Sequence, residues 1–155
     1  QSQDLLGRKV PMQNGKALEL LVSEITKTIL AASKDEDLKQ YAIILGDKLK
    51  QSQKVLSHLM PFAMKGNYER YLADANLFME YMSIVVLGWL WLEMAVDAKK
   101  ELTNTNRKYS EIFYESKIHT MKFYFKYEVP KTNSLVESLM NDETLTIKKD
   151  KEHII

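Results

Sequence analysis

Ser83 to Ala95 reads SIVVLGWLWLEMA and carries no charge before Glu93. A surface helix of a soluble protein shows an apolar stripe backed by polar residues. From Ile84 to Leu92 no polar face exists. A helix here needs neighbours on more than one side. The run is too short to span a bilayer, which takes about 20 apolar residues. It also lies mid-chain, which is not the place of a signal peptide. The reading is a packed interior, with no membrane and a cytoplasmic setting expected.

The rest of the chain has the periodicity of helices. Asn14 and Gly15 can open a first helix with Leu18, Leu21, Val22, Ile25, Ile29 and Ala32 on one face. Asp35 suits an N-cap for a second helix. Its stripe is Leu38, Tyr41, Ala42, Leu45, Leu49, Ser52, Leu56, Leu59 and Ala63, with a kink or early stop predicted at Pro61. After Gly66 and Asn67, a third helix is predicted from Tyr68 to Leu102 with two stripes. One is Leu72, Ala75, Met79, Met82, Val86 and Trp89; the other is Leu77, Tyr81, Ile84, Gly88, Trp91, Ala95 and Ala98. A fourth helix is predicted from Tyr109 to Glu128, with Phe113, Thr120, Tyr124 and Tyr127 on one face. Tyr114, Ile118, Met121 and Phe125 form its other face. Pro130 interrupts it, and Leu135 to Met140 can add a short terminal helix. The fold class predicted is all-α, an up-down four-helix bundle over residues 14–140. Residues 1–13 read as a linker, and the lysine-rich stretch 141–155 as a flexible tail. Because the chain begins with Gln1, it reads as a piece of a longer polypeptide.

The composition excludes several chemistries. With no cysteine, disulfides and thiolate catalysis are out. The 22 basic residues nearly balance the 21 acidic ones, so no nucleic-acid footprint is visible. A di-iron bundle site needs two inward Glu-x-x-His motifs and two further glutamates. Glu115 and His119 are spaced by four rather than three, and His58 and His153 have no glutamate at the required offset. Glu115 and His119 are more simply a solvated pair on an exposed face. The five glycines, Gly7, Gly15, Gly46, Gly66 and Gly88, stand alone, so no phosphate loop exists. Glu93 is an acid on a nearly buried helix, which could raise its pKa, but such a residue generally pairs or reaches the helix edge. No catalytic or metal-binding residue is assigned.

Three stretches resemble one family. QSQDLLGRKVPM, through Asp4, Leu5, Gly7, Arg8 and Lys9, is similar to the segment that follows the catalytic Tyr-Glu-Gly-Thr motif of FAD-dependent acyl-CoA dehydrogenases. YLADANLFMEYMSIVVLGWLWLEMA resembles the long helix of the extra C-terminal domain in the larger members, the 3-methylmercaptopropionyl-CoA dehydrogenase type. FYESKIHTMKFYFKYEVPKTNSLVESLM is similar to the last helix of that domain. The resemblance implies a non-catalytic C-terminal domain of an enzyme that oxidises acyl-CoA to trans-2-enoyl-CoA. FAD and the catalytic glutamate would lie in the parent enzyme, and no cofactor-binding residue carries over to this chain. The implied partner is the catalytic domain of the same polypeptide, within a homo-oligomer. On this reading the second stripe of the third helix, with Tyr81, Ile84, Gly88 and Trp91, forms the interface to the rest of the enzyme. Gly88 would allow another element to approach closely. The alternative is a free-standing helical-bundle interaction module whose Met- and aromatic-rich surface takes a partner helix.

Overall fold

The computed structural model describes residues 16–141. The linker through Gln13, the Asn14–Gly15 start and the tail beyond Asn141 lie outside the described residues. Five α-helices and one 3-10 turn follow in order: α1 Lys16–Ser33, α2 Lys39–Met64, α3 Tyr68–Leu102, α4 Glu111–Tyr127, the turn Val129–Lys131, and α5 Thr132–Met140. No strand occurs among the described residues. The fold is the all-α bundle that the periodicity predicts.

α3 is the axis of the bundle. Its 35 residues span about 52 Å at 1.5 Å per residue, and it touches each of the other α-helices. The buried seam along it is Tyr71, Ala75, Phe78, Met82, Val85, Leu92 and Val96, with half-buried Trp89 completing the row. These positions alternate in steps of four and three, the 3.5-residue repeat of supercoiled packing. Ile25 and Ala32 of α1 and Ala42, Leu45, Leu49, Val55 and Leu59 of α2 belong to the same core. Tyr114, Ile118, Met121 and Phe125 of α4 join it, as that face of α4 predicts.

Polar contacts set the register of helix against helix. The Trp89 indole N–H donates to Thr28 Oγ1 at 2.9 Å, joining α3 to α1. The Tyr81 hydroxyl donates to the Lys48 carbonyl at 2.7 Å, joining α3 to α2. The Tyr124 hydroxyl donates to the Ile84 carbonyl at 2.8 Å, joining α4 to α3. At the other end, Asp37 takes Lys122 of α4 at 3.0 Å and Lys99 of α3 at 3.7 Å. One carboxylate in the α1–α2 turn thus ties three elements.

The helix ends show what the sequence reading caught and missed. Asp35 accepts from the Asp37 and Leu38 backbone N–H groups, so it orders the turn just before α2. α2 runs three residues beyond Pro61. A proline in the last turn removes a single backbone donor, which the helix tolerates there. α2 then closes with the Gly66 N–H on Ala63 O and the Asn67 N–H on Phe62 O, the doubled C-terminal bond pattern that needs a left-handed residue. Gly66 supplies it with φ 79°. α4 starts two residues later than predicted, where Ser110 Oγ accepts from the Phe113 N–H. α5 begins at Thr132, whose buried hydroxyl donates to Val129 O at 2.6 Å.

The two well-placed glycines should respond oppositely to alanine. Gly66→Ala puts a Cβ on a left-handed residue and should cost about 1 kcal/mol. At Gly88 a Cβ would sit 3.5 Å from Tyr124 Cε1 and 3.7 Å from Phe125 and Val129, ordinary contact distances. Gly88→Ala should therefore be neutral or stabilise by up to about 1 kcal/mol through helix propensity. Urea unfolding of the two variants checks both signs.

Alkaline pH should open the bundle. Burial pushes the Tyr71 phenol up to about 12, and burial together with nearby Glu128 does the same for Tyr124. Burial also raises the Tyr81 phenol. The bundle holds the neutral phenols, so their contribution is whole below about pH 10 and fades as pH climbs through about 12. Loss of helical circular dichroism should coincide with a late tyrosinate absorbance step. Complete ionisation of the tyrosines near pH 10 with the helices intact would contradict this.

Candidate docking face

Seven columns of heptad-spaced residues run along α3, and they have different surroundings. The seam columns and the column of Tyr81, Gly88 and Ala95 are closed by helices of this chain. Tyr81 is 0% exposed. Gly88 is buried beneath Tyr124, Phe125 and Val129. Ile84 and Trp91 are half-buried beside α4. Of the interface predicted over Tyr81, Ile84, Gly88 and Trp91, the buried Tyr81 and Gly88 face helices of this chain, while Ile84 and Trp91 keep partial exposure. That stripe turns toward α2 and α4 of the same chain, with Tyr81 and Gly88 inside and Ile84 and Trp91 at the edge. The close approach expected at Gly88 comes from α4, at a separation that would also admit a methyl group.

The open face lies elsewhere. Leu87, Leu90 and Met94 are 49%, 38% and 40% exposed. They belong to the two outermost columns of α3, which continue with Glu80 and Ser83 toward the N-terminus and Asp97 and Glu101 toward the C-terminus. Neither predicted stripe includes these three residues. The signal was present as a residue of the assignment: apolar side chains at 87, 90 and 94 that no core face had claimed. Glu93 is exposed next to this row. It reaches water at the helix edge, as acids on such helices generally do.

α4 has a second open row. Opposite its core face it presents Phe113, Phe123 and Tyr127, all exposed, with Ile112 alongside and Tyr109 just ahead of the Ser110 cap. Each end and the middle of the row carries a lysine over a ring: Lys108 at 5.4 Å from the Tyr109 centroid, Lys117 at 5.0 Å from Phe113, and Lys126 at 5.2 Å from Tyr127. Such contacts are worth about 0.5–1 kcal/mol at exposed sites.

Two shallow hollows flank α4. One of about 600 Å³ lies against Asp37, Lys99, Leu102, Ile112, Glu115 and His119. The other, about 540 Å³, is lined by Tyr41, Phe123, Tyr127 and Lys126 among others. Lys99 and Lys122 at their rims are held by Asp35 and Asp37. Neither hollow fits a flavin pyrophosphate, because Lys99 and Lys122 are spent on carboxylates and no glycine cradle stands beside them. Lys126, at the second hollow, lies over the Tyr127 ring instead. Glu115 and His119 are both exposed, and no cluster of metal-ligating side chains occurs among the described residues.

By length and composition, Tyr71–Leu102 is also apolar enough to cross a membrane. That exceeds the short run Ile84–Leu92 on which the sequence reading rested. Among the described residues this helix packs on each of the other α-helices.

Comparison with known proteins bears on what this face is for. The chain is 25% identical to the butyryl-CoA dehydrogenase of Syntrophomonas wolfei subsp. wolfei (strain DSM 2245B / Goettingen) over 153 residues. The match takes in 98% of this chain and 25% of that protein, so the chain spans about a quarter of the relative's length. Residues 21–149 match the family described as acetyl-CoA dehydrogenase C-terminal like. That stretch runs from α1 through α5 and holds the whole helical core, and on this ground the chain belongs to the acetyl-CoA dehydrogenase C-terminal-like family.

Proposed function

We propose that this chain is the non-catalytic C-terminal domain of a flavin-dependent acyl-CoA dehydrogenase. The parent enzyme oxidises an acyl-CoA thioester to the trans-2-enoyl-CoA in the cytoplasm, with FAD and the catalytic base held outside this chain. Here the bundle serves as a packing module, set against the catalytic part of its own polypeptide or against a partner subunit. Neither nucleic acid nor a membrane takes part. The observation that carries the packing role is the exposed row Leu87, Leu90 and Met94 on the longest helix. Contiguous apolar surface of this kind marks an interaction site more often than idle exterior. The family match and the partial coverage of a much longer dehydrogenase support the parentage.

Purified residues 1–155 should be colourless and inactive on acyl-CoA. Stoichiometric yellow flavin surviving gel filtration would refute the reading. In the longer enzyme, Leu90→Ser should leave the bundle folded, since surface changes stay within about 0.5 kcal/mol. It should instead lower the enzyme's thermal midpoint and speed proteolytic release of the domain. An enzyme indifferent to Leu90→Ser would remove the packing role from this face.

A further inference from the structure

We infer that the hollow between α2 and α5 is the seat of this chain's own residues 142–149, which return along α2 as an extended strap. The helical domain then ends near Lys149 rather than at Met140.

The hollow has a volume of about 430 Å³ and is lined from α2 by Asp47, Lys50, Gln51, Lys54 and Val55, and from α5 by Val136 and Met140. Its apolar part is Val55, which is buried, with half-buried Val136 and Met140. Its rim is charged. Lys50 and Lys54 stand one helical turn apart, both exposed, and neither meets a carboxylate among the described residues. Like charges at that spacing repel, so a carboxylate set between them is favoured. Asp47 is the exposed acid of the same lining, one turn before Lys50. Glu137 is exposed on α5 but does not line the hollow.

The path of the chain selects this occupant. α5 begins beside α2, where the Lys48 ammonium donates to Asn133 Oδ1 at 2.9 Å, and it ends at Met140, itself a wall of the hollow. Asn141 then leaves the helix in extended backbone, with φ −74° and ψ 125°. The residues that follow reach the hollow at the high effective concentration of a short tether. Their order matches the lining. Asp142 and Glu143 come first, for Lys54 and Lys50. Thr144, Leu145, Thr146 and Ile147 alternate polar and apolar, which puts Leu145 and Ile147 on one side of an extended segment. Lys148 and Lys149 come last, for Asp47. Lys54 back to Asp47 covers about 10 Å of helix, and the extended reach of about 20 Å from Asp142 to Lys148 leaves length for the turn. The family match gives independent support, because it does not stop at Met140 but runs on to residue 149.

Two measurements on the chain test this. Removing residues 142–155 should lower the thermal midpoint by about 3 °C or more, and Lys50→Glu/Lys54→Glu in the full chain should do much the same. In the shortened chain the two lysine changes should add nothing, because both alterations remove one shared contact. Asp142→Lys/Glu143→Lys should restore the midpoint of Lys50→Glu/Lys54→Glu, while Glu137→Gln should leave the wild-type midpoint where it is. The chain has no cysteine, so engineered pairs report one contact at a time. Asp47→Cys/Lys148→Cys should oxidise to a disulfide within one chain. Ser134→Cys/Lys148→Cys should stay reduced under the same conditions, since Ser134 lies on the other side of α5 from Val136. A midpoint indifferent to truncation, or equal oxidation of the two pairs, would overturn the inference. So would a lysine effect that persists in the shortened chain, which would assign Lys50 and Lys54 to another contact of the bundle. An indifferent shortened chain together with a longer enzyme that the lysine changes destabilise would give the hollow to the catalytic part instead.

Discussion

The bundle depends on burying a helix that is apolar around most of its circumference. Tyr71, Ala75, Phe78, Met82, Val85, Trp89, Leu92 and Val96 form a seam that α1 and α2 close, and the neighbouring column through Tyr81, Gly88 and Ala95 closes under α2 and α4. Burying one such side chain fully contributes about 1.5–3 kcal/mol. Removing α3 would leave α1, α2 and α4 without a common surface. The other helices accordingly wrap it, and the short turns between them follow from the need to return along it. Among the described residues, that arrangement still leaves Leu87, Leu90 and Met94 in the open.

Hydrophobic burial alone would permit the helices to slide. The Tyr81 and Tyr124 hydroxyls and the Trp89 N–H remove that freedom, because each reaches particular acceptors on one neighbouring helix. Withdrawing the acceptor would leave a buried donor unsatisfied, at a cost of about 1–3 kcal/mol. The Asp37 carboxylate does the same work at the opposite end, where it is half-exposed and its ion pairs with Lys99 and Lys122 are correspondingly weaker. The middle of the bundle and its Asp37 end are thus fixed by different physics, neutral hydrogen bonds in the interior and screened charge at the rim.

Fold class and helix order were legible from period and punctuation, because each helix has a continuous apolar face and the turns carry Gly, Asn or Asp, or Pro130 between α4 and α5. Which face goes where was not. α3 shows apolar residues in nearly every column between Ile84 and Leu92, so two stripes could be drawn through it without crossing a charge. Those stripes omitted Tyr71, Phe78, Val85 and Leu92, four members of the actual seam. The drawn stripes share the spacing of seven with that seam, so period could not separate them; only the phase around the helix does, and apolar residues in adjacent columns left it undetermined. The error carried into the interface, since Tyr81 and Gly88 looked available only while the seam was misplaced. Ser110 as the α4 cap was legible in principle, as a serine directly before a helical run.

The exposed rows differ in how they stay soluble while unoccupied. Around Leu87, Leu90 and Met94, acids on the same columns keep the surroundings charged. On α4 the lysines fold back over the rings and shield their faces from water. A lysine over a ring retains a hydrated head, so it can exchange that contact for a carboxylate at little cost. The α4 aromatics bring large area with few rotatable bonds, which limits the entropy lost on ordering. On α3, Met94 adds an adaptable side chain to the open row. A face built in this way is tolerated in the free chain and is still cheap to cover.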